Sequence, residues 1–387
     1  MKKDKITFAK GLHNLNEQPN FNFQLNRVVM WNEGDLEDVM KIADKIKDSA
    51  TWKKELIGIG AQAESEGRIK EAIAYYRMSE FFMYDGDPDK EKHYKLATSM
   101  FYDYYKEYFE DGTVIRYEVP YEGVKLPVLY TKAVGEKKDT ILLHGGNDSY
   151  MEELFFAMLY FAENGFDVYV FEGPGQGGVM RTQGKHFTYE WEKPVTTILD
   201  YLKLDDVTII GASLGGMLAP RAAAYEKRIK RVIAWSIFPN FFFVALGMFP
   251  KWFQKVVKIL MKLHAAPIFN LAFKMKAKKD TTVDWGIKHG MYAYDAKSPY
   301  EYVVKLNKFQ MIDVGHLINQ DMLVIGANQD HFIDYKLFQE ELNSLSNVHS
   351  LTFRLFTDKE CASNHCNIGN TKLTLDTMIN WIELIKY

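Results

Sequence analysis

From residue 22 to 110, apolar residues recur three and four apart, in 36–46, 52–63, 69–83 and 94–109, a spacing that lays one apolar stripe along a helix. An all-α unit is expected over residues 1–112. Its stretch from Trp52 through Gly67 to Tyr76 resembles one helix-turn-helix repeat. A repeat scaffold needs about three such units, so that architecture is set aside. Around Asp111-Gly112 the period changes to two: 113–119 and 124–131 alternate and flank Pro120-Tyr121-Glu122-Gly123, a hairpin signal. A domain boundary is placed there, with a second unit over 113–387. Beyond it, short apolar runs at 139–143, 167–171, 207–210, 231–235, 322–325 and 348–356 alternate with helical segments such as 152–163 and 217–226. This alternation predicts an α/β architecture, a mostly parallel, doubly wound sheet covered on both faces. Between 238 and 320 it lapses into an aromatic- and Met-rich helical region, read as an inserted cap.

The 387 residues are 47% hydrophobic and 26% charged, enough to bury a large core and too apolar for a disordered chain. A net charge of -3 offers no global field for nucleic acid or a membrane surface, and neither partner is expected. The basic run 274–279 is local and reads as a solvated face. The most apolar stretch, 235–253, is interrupted by Pro239, Asn240 and Pro250 and closed by Lys251. It falls short of the roughly 20 residues a membrane span needs, and reads as buried or pocket-lining. Cys361 and Cys366 cannot form a disulfide framework, and no apolar stretch follows Met1-Lys2-Lys3-Asp4 to act as a secretory signal. A cytoplasmic protein is expected.

The candidate chemistry centres on Gly211-Ala212-Ser213-Leu214-Gly215, directly after a β-branched run and before an Ala-rich helical stretch. A serine on a sharp strand-to-helix turn sits in strained backbone, so its neighbours two positions away must be nearly free of side chains. A hydroxyl is a weak nucleophile and needs a base, and the base needs an orienting acid. Asp330 falls just past the run 322–325, at the end of the strand where open α/β sheets put their ligands. Asp334 competes with it. His365 lies in a turn-rich loop between the last strand and a terminal helix over 373–385; His331 adjoins the acid and reads as packing. An oxyanion needs two N–H donors. Leu214 supplies one, and Gly146 of His144-Gly145-Gly146-Asn147-Asp148 is expected to supply the second, with His144 bracing that loop. Asp148 is read either as a helix cap or as a substrate contact. Aromatic residues of the cap, Phe238, Phe241, Phe242, Phe243, Trp252 and Phe253, read as pocket lining for a flat apolar substrate or as simple packing. Two decoys are set aside. Gly173-Pro174-Gly175-Gln176-Gly177-Gly178 fits a dinucleotide fingerprint, but Pro174 removes a donor and no acid ends a following strand at the right distance. The cysteines flanking His365 are too widely spaced for a zinc knuckle. No cofactor and no metal are expected.

With these residues on the page, the chain resembles the α/β-hydrolase family that includes 2,6-dihydropseudooxynicotine hydrolase, fungal carbon–carbon hydrolases and acylaminoacyl-peptidase-like proteins. The resemblance rests on 22–29, His144-Gly145-Gly146-Asn147-Asp148-Ser149, Glu172-Gly173-Pro174-Gly175-Gln176-Gly177, the serine turn, Asp330-His331-Phe332 and His365-Cys366-Asn367. It implies an α/β-hydrolase fold, a catalytic triad of Ser213, Asp330 and His365, and an acidic substrate contact at Asp148. It further implies helices from 1–112 closing over the site in a homodimer. The expected activity is a cofactor-free serine hydrolase cleaving an ester, an amide or an activated carbon–carbon bond in a small, apolar or aromatic substrate. An exopeptidase is the alternative within the family. A non-catalytic regulatory protein, similar to the fermentation-respiration switch proteins, is the alternative outside it. Departures from the nicotine enzyme's pattern, Ala212 and the longer histidine loop, bear on substrate identity.

Overall fold

A computed structural model describes residues 5–84, 86–247 and 249–386. Helices come first: α1 Pro19–Met30, α2 Leu36–Ala43, α3 Ser49–Ser65, α4 Ile69–Ser79 and α5 Pro88–Tyr104. Their starts follow capping chemistry, in which a side-chain oxygen satisfies an otherwise orphaned N–H of the first turn. Asp35, Asp48 and Asp87 cap α2, α3 and α5, and proline occupies the first turn of α1 and α5.

The strands are β1 Val114–Tyr121, β2 Val124–Thr131, β3 Asp139–His144, β4 Phe166–Phe171, β5 Val207–Ala212, β6 Ile229–Trp235, β7 Asp321–Ala327 and β8 Ser350–Phe356. They form one eight-stranded sheet in the order β1-β2-β4-β3-β5-β6-β7-β8. Only the β1–β2 and β2–β4 pairings are antiparallel. The β1–β2 hairpin turns on Glu122 and Gly123, whose φ values of 40° and 83° give the left-handed pair that matches strand twist. Pro120, which cannot donate to a ladder, lies on the edge strand β1. The central strands β3 and β5 are buried at every position, as strands covered on both faces must be.

One apolar cluster joins the sheet to the helices Glu192–Leu202 and Gly215–Tyr225. The cluster on the other face includes residues of the helices Phe155–Glu163 and Thr371–Lys386, together with Ile73, Phe101 and Tyr105 from the N-terminal part of the chain. The N-terminal helices therefore share a core with the sheet.

Between β6 and β7 the chain leaves the sheet for the helices Phe241–Gly247, Lys251–Lys262, Ala266–Ala277, Thr281–Ala293 and Pro299–Leu306, the cap expected from the sequence. The two ends of this insertion are bound to each other. Asn240 and Gln310 form an antiparallel bridge, the Phe241 N–H donates to the Phe309 carbonyl at 2.9 Å, and the Met311 N–H to the Pro239 carbonyl at 2.7 Å.

Candidate active site

Ser213 stands where β5 gives way to the helix Gly215–Tyr225, with φ at 59°. Left-handed backbone costs a residue with a Cβ about 1–2 kcal/mol, so its neighbours must hold it there. The Ser213 N–H donates to the Trp235 carbonyl at 3.1 Å, and the Gly216 N–H donates to the Ser213 carbonyl at 2.8 Å. The turn is tight enough to dictate its glycines. A Cβ on Gly211 would lie 2.1 Å from the Gly215 carbonyl oxygen, and one on Gly216 would lie 2.4 Å from that of Ser236.

The structure brings Ser213 together with His365 and Asp330. His365 occupies a one-turn helix, His365–Asn367, ahead of the terminal helix. Its Nε2 is 2.8 Å from Ser213 Oγ and its Nδ1 2.7 Å from Asp330 Oδ2. The other Asp330 oxygen accepts the N–H groups of Phe332 and Ile333 at 2.9 and 3.1 Å, which fixes the carboxylate just past β7. Burial opposes a charge on the His365 ring, but the Asp330 carboxylate against Nδ1 outweighs it and holds the imidazole pKa well above its ordinary value. Of the two candidate acids, Asp334 is occupied elsewhere, capping the short turn Tyr335–Leu337 through the Lys336 N–H. The His331 ring packs between Phe23 and Phe332.

The loop after β3 differs from expectation at one donor. The Gly146 α-carbon lies against the serine turn, where a Cβ would come 2.6 Å from the Leu214 nitrogen. Its N–H, however, already donates to Ser149 Oγ at 2.9 Å, so Gly146 is not an open oxyanion donor. The next residue, Asn147, lines the cavity beside Leu214. Neither the Asn147 nor the Leu214 N–H donates elsewhere among the described residues. Side chains from three elements hold this loop by its carbonyls. Gln176 Nε2 donates to Gly145 O at 2.8 Å and Gly146 O at 3.1 Å, Arg27 Nη2 donates to Asp148 O at 3.2 Å, and His289 Nε2 lies 3.4 Å from Asn147 O. In a trans peptide the C=O and N–H point opposite ways. Anchoring the Gly146 carbonyl on Gln176 therefore turns the Asn147 N–H away from Gln176.

Gln176 belongs to the glycine-rich segment after β4, whose glycines answer to packing. A Cβ on Gly173 would meet the Trp191 ring at 2.4 Å and one on Gly175 the Phe187 ring at 2.1 Å. Its Gly173 and Gly178 N–H groups are already taken by Gln176 Oε1 and Glu172 Oε2. His144 braces the neighbouring loop through its own ring, Nδ1 to the Gly145 carbonyl at 2.8 Å, with burial lowering its pKa to about 4.

Ser213 and His365 open on a cavity lined by Phe23 and Arg27 of α1, by Asn147, Asp148 and Phe238, and by Phe241, Phe242, Phe273, Trp285 and His289 of the cap. The Phe238 N–H donates to buried Glu341 at 3.0 Å, and burial pushes that carboxyl up to about 8. Trp252 does not line the cavity; it stands 67% exposed on the outer side of the cap, while Phe243 and Phe253 pack within the cap. Asp148 does not cap a helix. Its carboxylate lies 3.4 Å from Arg27 Nη1, while Arg27 Nε and Nη2 donate to Glu153 at 2.9 and 2.5 Å. Arg27, Asn147, Gln176 and His289 were not singled out from the sequence. Arg27 is 121 residues from Asp148 and shows no local pattern; in Gln176 the signal was present but attached to another motif. Buried Cys366 points its Sγ at the Trp235 carbonyl, 3.8 Å away, and no cluster of three or more potential metal ligands occurs among the described residues.

A family model described as the alpha/beta hydrolase fold matches residues 141–356. The hydrolase acrC of Aspergillus aculeatus is 27% identical over 354 residues, spanning 84% of this chain and 82% of its own. The 20-hydroxy-prefusarin hydrolase FUS2 of Gibberella moniliformis is 27% identical, over 79% of this chain and 81% of its own. Among solved structures, 2,6-dihydroxy-pseudo-oxynicotine hydrolase superposes with a TM-score of 0.63 at 16% identity, covering 92% of this chain and 94% of that one. AbyA5 superposes at 0.64 and 16%, covering 90% and 88%. At such identities the superpositions speak to the fold alone.

Proposed function

We infer that this hydrolase, which belongs to the alpha/beta hydrolase fold family, cleaves a small apolar or aromatic substrate next to a carbonyl through attack by Ser213. The observation that carries the reading is the Ser213 Oγ–His365 Nε2 contact of 2.8 Å at an apolar cavity. His365 takes the hydroxyl proton as Oγ bonds to the carbonyl carbon, and Asp330 balances the resulting imidazolium. The oxyanion is held by the N–H groups of Leu214 and, in place of Gly146, Asn147. Collapse of the tetrahedral species passes the proton to the leaving oxygen, nitrogen or carbon. Water, deprotonated by the same imidazole, then releases the acyl group and restores the serine.

The cavity lining favours a small organic acyl compound over a peptide. An exopeptidase needs an unpaired charge to anchor a chain end, and the cavity's Arg27 and Asp148 are paired with each other. The names of FUS2 and of the pseudo-oxynicotine hydrolase likewise refer to small organic molecules. The proposed location of the active site inside a single chain leaves the expected homodimer as a separate question for light scattering.

A fluorophosphonate probe tests the mechanism. Covalent labelling of wild-type protein is expected to vanish in Ser213→Ala, together with turnover of a panel of p-nitrophenyl esters, aminoacyl anilides and β-diketones. Labelling or turnover that survives the substitution would overturn the assignment; the panel member turned over identifies the bond.

A further inference from the structure

The outer side of the cap carries an apolar face that the hydrolytic reading does not use. On the helix Lys251–Lys262 and its C-cap residue Leu263, Trp252, Val256, Ile259 and Leu263 recur at helical spacing and are 67%, 40%, 56% and 69% exposed. On the next helix, Ala266–Ala277, Ile268, Leu271 and Met275 are 61%, 60% and 59% exposed. The opposite sides of the same helices bury Val257, Phe269 and Phe273 in the cap core, and Phe273 reaches the cavity. Each helix is thus apolar on two sides, and packing accounts for only one of them. A soluble surface rarely leaves so many large apolar side chains in register without a partner.

The charge beside this face identifies the partner. Residues 251–279 hold eight lysines and no aspartate or glutamate, in a chain whose net charge is -3. Lys251, Lys255, Lys258 and Lys262 run along the first helix beside its exposed apolar row, and four more follow between 274 and 279. Among the described residues only Lys276 of the eight has a carboxylate in ion-pair range, Asp280 at 3.2 Å. A second copy of the chain would bring two such lysine sets together, and like charges across an interface repel. An apolar face flanked by unpaired lysines is instead the composition of a helix lying in the plane of an anionic lipid surface.

We propose that the helices Lys251–Lys262 and Ala266–Ala277 dock this protein, peripherally, onto membranes bearing anionic headgroups. No described helix is long and apolar enough to cross a membrane, and none is required to. The aliphatic and indole groups enter the headgroup boundary while the lysines meet lipid phosphates and carboxylates. Docking does not depend on the hydrolytic reading, and its test is separate from that of Ser213.

Co-sedimentation is measured with vesicles of phosphatidylcholine alone and of a roughly 3:1 mixture of phosphatidylcholine and phosphatidylserine. Full-length protein is expected to pellet with the mixed vesicles and to stay in solution with the neutral ones. Raising salt from about 0.1 to about 0.5 M is expected to weaken the binding. Each charge lost in the series Lys255→Gln, Lys262→Gln, Lys274→Gln is expected to cost about fivefold in partition coefficient. Leu271→Ser should weaken it too, and Trp252→Phe should remove a vesicle-induced blue shift of the tryptophan emission. All variants should retain wild-type circular dichroism and probe labelling, since none touches the cavity. A folded protein that ignores mixed vesicles overturns the proposal. So does equal binding to neutral vesicles without salt dependence, or a concentration-dependent dimer that Leu271→Ser dissociates.

Discussion

At Ser213 and His365 the resting structure already has the geometry a general base requires, so what remains to be set is protonation. The imidazole must be neutral to accept the hydroxyl proton. Because Asp330 raises its pKa, kcat/KM is expected to rise with pH through an inflection above the ordinary histidine value of about 6.5. Asp330→Asn removes the charge that favours the protonated ring and leaves burial, which disfavours it. The inflection should move to lower pH, while kcat falls on the order of 10⁴-fold as the tautomer is lost. An unmoved inflection in a folded variant would show that another group controls the profile. These residues were readable from the sequence because each is tied to a punctuation mark: glycines around a turn, an acid past a strand, a histidine in a loop before the last helix. Gly146 departs from expectation for the complementary reason, its N–H donating to Ser149 Oγ. The sequence shows that glycine is needed there, and the structure shows the need is close approach to Leu214 rather than donation.

Among the elements, the strand runs were legible because burial on both faces leaves continuous β-branched stretches, and the N-terminal helices because their apolar period is regular. How two loops lean on each other has no local sequence pattern. Gln176 lies 30 residues from Gly146 and reaches it only because β3 and β4 are parallel neighbours with their ends side by side. Gln176→Ala should leave the fold intact and free the Gly146–Asn147 peptide to rotate. The expected result is a kcat lower by about 10- to 100-fold with KM changed little, below the 10²–10³ cost of deleting an oxyanion donor outright. Gln176→Glu, which cannot donate from that position, should behave alike. A loss confined to KM would instead make Gln176 a substrate contact. The cap was visible as an interruption of the βα alternation, but its exposed face was not, because apolar residues at helical spacing look the same whether they point inward or outward.

For the molecule as a whole, one buried charge cluster ties the N-terminal helices to the segments that follow β3 and β4. Glu80, just past α4, is fully buried and accepts from Tyr150 Oη at 2.5 Å, Lys90 Nζ at 2.6 Å and Arg181 Nε at 2.6 Å. Burial pushes its carboxyl up, yet Arg181 and Lys90 hold it down to about 2. A carboxylate depressed in the fold stabilises it above the unfolded value of about 4.5, and that stabilisation is lost as pH falls toward 2. Glu80→Ala leaves two buried cations short of their counter-charge and should cost about 3–5 kcal/mol in urea unfolding at neutral pH. The acid sensitivity between about pH 4.5 and 2 should shrink in the same variant. A loss under about 1 kcal/mol would mean that this charge cluster contributes little to holding the helices. The pairing was hidden from the sequence because its charges come from positions 80, 90 and 181, each unremarkable in its own neighbourhood.

The bridge between Asn240 and Gln310 has a consequence for how such a protein diversifies. Everything between those residues departs and returns through one neck, and Tyr294, Tyr302, Leu306 and Phe309 of that segment pack into the same core as the sheet. Phe238 and the serine turn sit on the sheet side of that neck and most of the aromatic lining on the far side. Most of the aromatic lining thus comes from one excursion of the chain, so replacing the 240–310 segment with that of a relative is expected to change which substrate of the panel is turned over while fluorophosphonate labelling of Ser213 persists.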